Sequence, residues 1–121
     1  RVKIDTASLQ LFDRYIRECI SNGIVILIVY TPEYIEGQDF VQNRDEIIGI
    51  FTKFAVKYNL TFLDYSNDSI SFQKKYFYNA SHLNREGSKL FTSKLVNDLI
   101  KKSTKDINGN SQVGSAVYAN P

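Results

Sequence analysis

The sequence predicts an α/β fold built on parallel strands, and three features carry that reading. Apolar residues recur at helical spacing over residues 6–22, an unbroken apolar run of seven follows at 24–30, and the same order of helix then strand returns at 40–58 and 60–66. Strand, helix, strand in that order make a βαβ unit, with parallel strands and a right-handed crossover. At 121 residues, 43% of them hydrophobic, the chain is long enough for one domain with its own core. No internal repeat is visible.

In the first helix Leu9, Phe12, Ile16 and Ile20 form the apolar stripe, joined by Leu11, Tyr15 and Cys19. The segment "SNG" ends it, with Gly23 suited to the left-handed position after a helix. "IVILIVY" is too short for a buried helix and rich in β-branched residues, so it reads as a strand covered on both faces. "TPEYIEGQD" is a loop, in which Pro32 holds Thr31 extended and Gly37 gives freedom. Ile47, Ile48, Phe51, Phe54, Ala55 and Tyr58 mark the second helix, with Asn59 as its stop, and "LTFLDYS" is the second strand, with Asp64 near its end. The stretch "SISFQKKYF" is short and weakly helical.

A last helix, ending at 102, buries Phe91, Leu95 and Leu99 with Leu90, Val96 and Ile100, and turns Lys89, Lys94, Lys101 and Lys102 to solvent. From 103 to 121 the chain has no stripe and reads as a polar, flexible tail, in which "VGSAVYA" could add an edge strand.

The plan leaves a deficit. A strand as apolar as 24–30 needs hydrogen-bonded neighbours at both edges, and only one partner strand is evident. An amino-terminal segment, a second copy of the chain, or the tail could complete the sheet. The start at Arg1, without an initiator methionine, favours the first and suggests a piece of a longer protein.

Composition narrows the function. Fifteen basic against thirteen acidic residues give a net charge of +2 with no basic block, which argues against a nucleic-acid partner. No apolar run approaches the roughly 20 residues that span a bilayer, so no membrane contact is expected of this chain. The single cysteine, Cys19, excludes an internal disulfide and a multi-cysteine zinc site, and reads as a small buried hydrophobe. One histidine with scattered carboxylates is a poor metal site, so neither metal nor other cofactor is expected. The three Asn-x-Ser/Thr matches, at 59, 67 and 79, are common by chance.

That histidine lies in "YNASHLNREGSKLF", residues 78–91. Asn84 is a good N-cap, Glu86 suits the positive helix end, and Gly87 permits close approach of a neighbouring backbone. All of this is helix-start chemistry, and the plain reading of His82 is a turn residue. Two features argue for more. The block falls on the rim at the carboxyl ends of the strands, where sites of α/β folds form, together with residues 31–33 and 64–68. Asn79, three residues earlier, can also accept a hydrogen bond from an imidazole N–H. Tyr76, Phe77 and Tyr78 could line a sugar-binding cleft, or simply pack beneath the loop.

The block "FYNASHLNREGSKLF" resembles the carboxyl-terminal motif of SGNH (GDSL-type) hydrolases, Asp-x-x-His, followed in a bacterial cell-surface subgroup by Leu-Asn-x-x-Gly and an aromatic residue. "GIVILIVYTPEY" is similar to the strand and proline-containing loop that precede it there, and the resemblance spans roughly residues 8–102. It implies a three-layer α/β/α, flavodoxin-like parallel sheet, incomplete in this chain, and an esterase or acyltransferase acting on acyl esters, often acetyl groups of cell-surface polysaccharides. It also implies that His82 is the general acid/base, Asn79 its partner, an acyl-ester or acetylated glycan the substrate, and the full-length protein extracytoplasmic behind an amino-terminal anchor.

The chain departs from the family pattern twice. Asn79 stands where the family has Asp; it can accept from the ring but cannot offset an imidazolium, and in the serine-protease triad the same change costs about 10⁴ in turnover. It could also orient the wrong tautomer, leaving His82 to a backbone carbonyl or to Asp64, although a strand-end Asp closing a turn into Ser66 is the commoner arrangement. Secondly, the Gly-Asp-Ser nucleophile and Gly-x-Asn-Asp oxyanion motifs are missing. "SND" at 66–68 lacks the glycine and follows the wrong strand, and Ser81 has no sign of a nucleophile elbow. Expected, then, is a base without a nucleophile. The alternatives are an inactive SGNH-like domain that binds glycans or protein, and an unrelated interaction domain.

Overall fold

A computed structural model describes residues 1–108 and shows a mixed α/β architecture. The first helix, α1, spans Thr6–Ser21, and Asp5 caps it by accepting from Ser8 N at 2.8 Å and Ser8 Oγ at 2.6 Å. Ile16 and Cys19 are its buried residues. Gly23 follows with φ of +71°, the left-handed conformation anticipated after this helix.

Strand β1, Leu27–Tyr30, lies parallel to β2, Thr61–Asp64, with Leu27 opposite Thr61 and Tyr30 opposite Asp64. The short helix α2, Ile35–Gln38, and the longer α3, Arg44–Tyr58, connect them. Asn59 closes α3 in the left-handed conformation, at φ 51°. Side chains alternate across the strand pair, so adjacent residues of β2 face different helices. Phe62 reaches the Phe51 ring of α3, while Leu63 joins Tyr65, Ile70 and Phe91 in a buried cluster against which Leu27 and Val29 pack. Phe91 belongs to the last helix, α4, Arg85–Asn108.

The helix α1 runs beside α3 in the same direction. Asn43 bonds the backbone of Val2, Phe12 meets Phe51 and Phe54 edge-on, and Asp13 accepts from both Lys57 and Tyr58 at 2.6 Å. Both helices therefore descend from the carboxyl ends of the strands toward their amino ends.

Several expectations need correction. Residues 24–26 lie outside the strand: Thr61 is the first residue of β2 to pair, and Val25 is 96% exposed. Strand β1 is half-buried throughout rather than fully covered. Helix α3 begins at Arg44, not at 40, and the loop after β1 contains the turn of α2. Leu90, Val96 and Ile100 do not join the buried stripe of α4 but are 44–59% exposed. Two lysines expected in solvent are engaged: Lys94 pairs with the buried Asp68 at 2.9 Å, and Lys102 donates to Thr61 Oγ1 at 2.6 Å. The helix also continues to Asn108, past the boundary at 102. The candidate edge strand at 113–119 lies outside the described residues.

Candidate active site

The segment from 69 to 84 becomes two 3₁₀ turns, Ser69–Phe72 and Lys74–Tyr76, and a small antiparallel hairpin of β3, Phe77–Asn79, and β4, His82–Leu83. The hairpin feeds directly into α4. Asn84 Oδ1 accepts from the backbone N–H groups of Glu86 and Gly87, each at 3.0 Å, as an N-cap should, while its amide donates to Lys75 O at 2.7 Å. At Gly87 the helix passes so close to Tyr76 that a Cβ would overlap that carbonyl oxygen. Cap and glycine thus fix the angle between hairpin and helix.

The hairpin tip docks on the loop that follows β1. Ala80 O accepts from Tyr34 N at 3.0 Å, and a Cβ on Gly37 would lie 2.7 Å from Ala80 Cβ. This loop is in turn tied to the one after β2, because the buried Gln38 donates to Glu33 O at 2.9 Å and Ser66 O at 2.7 Å. Residues 31–40, 64–68 and the His82 turn therefore meet at the carboxyl ends of β1 and β2.

Within the tip, four donor-capable atoms converge on Asn79 Oδ1: Ser81 N at 3.1 Å, Ser81 Oγ at 3.4 Å, His82 N at 2.9 Å and His82 Nδ1 at 2.9 Å. The two backbone N–H groups can only donate, so the atom facing them is the amide oxygen. An oxygen there requires Nδ1 to carry the proton. For the neutral ring this sets the tautomer: Nδ1–H donates to Asn79, and Nε2 carries the lone pair. His82 is exposed, and Nε2 has no partner among the described residues.

The other candidates are placed as follows. Asp64 accepts from Ser66 N at 2.9 Å, closing its own turn, and does not reach His82. Ser66 is buried. Ser81 Oγ lies 3.0 Å from His82 Nδ1, but that nitrogen holds the proton and cannot take another from the hydroxyl. Among the described residues, no hydroxyl lies beside Nε2 of His82.

Two features gave no signal in the sequence. Gln38 looks like an ordinary loop residue, yet it is the pin between the two loops. Tyr30, at the end of β1, donates to Glu33 at 2.8 Å beneath the Arg44 guanidinium; burial first, then the bond to Glu33, pushes its pKa up to about 12. Both depend on tertiary contacts.

No protein-family model, curated protein or solved structure matches this chain. Among the described residues there is no cluster of three or more His, Cys, Asp or Glu that could hold a metal ion, and no helix is long and apolar enough to cross a membrane.

Proposed function

We propose that this chain is the carboxyl-terminal part of an SGNH-type serine esterase or acyltransferase, with a three-layer flavodoxin-like fold. His82 is its general acid/base and Asn79 the residue that orients the ring. One observation carries the reading: Nδ1 is held by Asn79 at 2.9 Å while the exposed His82 leaves Nε2 without a partner among the described residues.

A serine hydroxyl, contributed by a segment amino-terminal to Arg1, gives its proton to Nε2 as its oxygen attacks the ester carbonyl. The imidazolium then protonates the leaving alkoxide, and water or an acceptor hydroxyl repeats the cycle on the acyl-enzyme. The placement of α1 supports the amino-terminal source. It lies alongside α3 on one face, so a strand entering it by a right-handed crossover would occupy the open edge of β1. The substrates are acyl esters, acetylated glycans among them, and the setting is extracytoplasmic.

A second reading rests on the same asparagine. Asn79 orients the ring but leaves an imidazolium without a counter-charge, which favours an inactive relative that binds glycans or protein. Hydrolysis of an aryl acetate by the full-length protein separates the two. The catalytic reading expects turnover that falls at least about 10³-fold in His82→Ala, whereas undiminished turnover would remove the role assigned to His82.

A further inference from the structure

A cavity of about 210 Å³ opens between the α2 turn and the β3–β4 hairpin, walled by Tyr34, Phe40, Phe77 and Tyr78. Its floor is closely packed, because Gly37 abuts Ala80 and Ala80 O is bonded to Tyr34 N. Two of its aromatic residues are left almost wholly in water: Phe40 is 81% and Tyr78 85% exposed. Glu36 and Lys74 stand on the same lining, one charge of each sign. Asn79, which holds His82, also lines it.

We propose that this cavity binds one ring of a neutral carbohydrate. A pyranose has apolar C–H faces that lie against aromatic rings and equatorial hydroxyls that project sideways to polar groups. Exposed aromatic faces with one carboxylate acceptor and one ammonium donor match that chemistry, and the cancelling charges select against an ionic ligand. The volume is below that of clefts for drug-sized molecules, which limits it to a single ring. A peptide strand fits less well, because the carbonyl of Ala80 that would pair with it is already engaged by Tyr34. On the catalytic reading above, on which this assignment of the substrate rests, the bound ring is part of the acylated substrate, held on a lining that includes Asn79, the residue bonded to His82.

The test is a titration of the full chain with cellotriose and with chitotriose, followed by amide chemical shifts, beside a proline-rich peptide of similar size. Saturable shifts at Tyr34, Gly37, Tyr78 and Ala80 with at least one sugar are expected. Phe40→Ala and Tyr78→Ala should each weaken binding about tenfold, equivalent to about 1.4 kcal/mol, and Val25→Ser, away from the cavity, should leave it unchanged. Both aromatic residues are exposed, so the variants keep the fold. Absence of saturable shifts, shifts located elsewhere, or preferential binding of the peptide would overturn the proposal. Sugar binding here without esterase activity in the full-length protein would defeat the catalytic reading alone; esterase activity without sugar binding at the cavity would defeat this one alone.

Discussion

Asn79 shows how one side chain can decide a site. Its carbonyl oxygen closes the hairpin turn by accepting two backbone N–H groups, and the same atom fixes the imidazole. The sequence left open whether asparagine would orient the wrong tautomer; the turn resolves it, since the backbone donors orient the amide first. Gly87 is a second deciding residue. A helical glycine replaced by alanine normally gains about 1 kcal/mol, but here the added carbon would strike the Tyr76 carbonyl, which also accepts from Asn84 N. Gly87→Ala is therefore expected to destabilise by about 1–3 kcal/mol, measured by denaturant unfolding. An unchanged or raised midpoint would mean that hairpin and helix are not locked at this contact.

At the scale of elements, what repeats locally was legible and what depends on partners was not. Gly23 after α1, Asn59 after α3 and Asn84 before α4 follow from local backbone chemistry, and each stands where it was anticipated, whereas the apolar stripes are covered only in part: Leu11, Tyr15 and Ile20 of α1, like Leu90, Val96 and Ile100 of α4, are exposed. The strand ends were missed because a ladder needs two chains: residues 24–26 are as apolar as β1 but have no partner across from them. The early part of the second predicted helix failed for another reason. The stripe that predicted this helix begins only at Ile47; Phe40 stands exposed on the cavity wall, and the chain turns twice before Arg44. The hairpin was invisible because its strands are three and two residues long and its register is broken between Phe77 and Asn79. At the site, His82, Asn79 and the rim could be read from the sequence, whereas Gln38 and the Tyr34–Phe40 wall required the fold.

For the whole molecule, the described strands form one parallel pair, β1–β2, and one small antiparallel pair, β3–β4; the parallel pair has an unpaired edge on β1, preceded in the chain by the exposed Ile24 and Val25. The charged and phenolic groups define its stability against pH. Asp5 is held below its ordinary 3.8 by the Ser8 side chain, and Asp13 by Lys57 and then Tyr58. Lowered carboxyl values stabilise the fold above 3.8, and that contribution is lost as pH falls through the folded values. Lys57 is raised by Asp13, Lys94 by Asp68, Tyr30 to about 12 by burial, and Tyr65 upward by burial and then Asp98. Raised values stabilise below the ordinary 10.0 of tyrosine and 10.5 of lysine, and the contribution is lost as pH climbs through the folded values. From these groups, unfolding free energy should be flat between roughly pH 5 and 9 and decline on either side. Denaturant titrations with phenolate absorbance test this, and Tyr30 and Tyr65 should ionise last, together with alkaline unfolding. A steep change inside the plateau that persists in His82→Ala, or early ionisation of all eight tyrosines, would contradict it.

The chain has a single histidine, so its imidazole nitrogens give one set of signals in a long-range proton–nitrogen correlation spectrum. Recorded on the neutral ring, that spectrum tests the site most directly. A protonated Nδ1 and a bare Nε2 are expected, reverting toward the Nε2–H form usual in water when Asn79 is replaced by alanine. A native ring already protonated on Nε2, or indifferent to Asn79, would contradict the assignment of His82 as a base oriented by that amide.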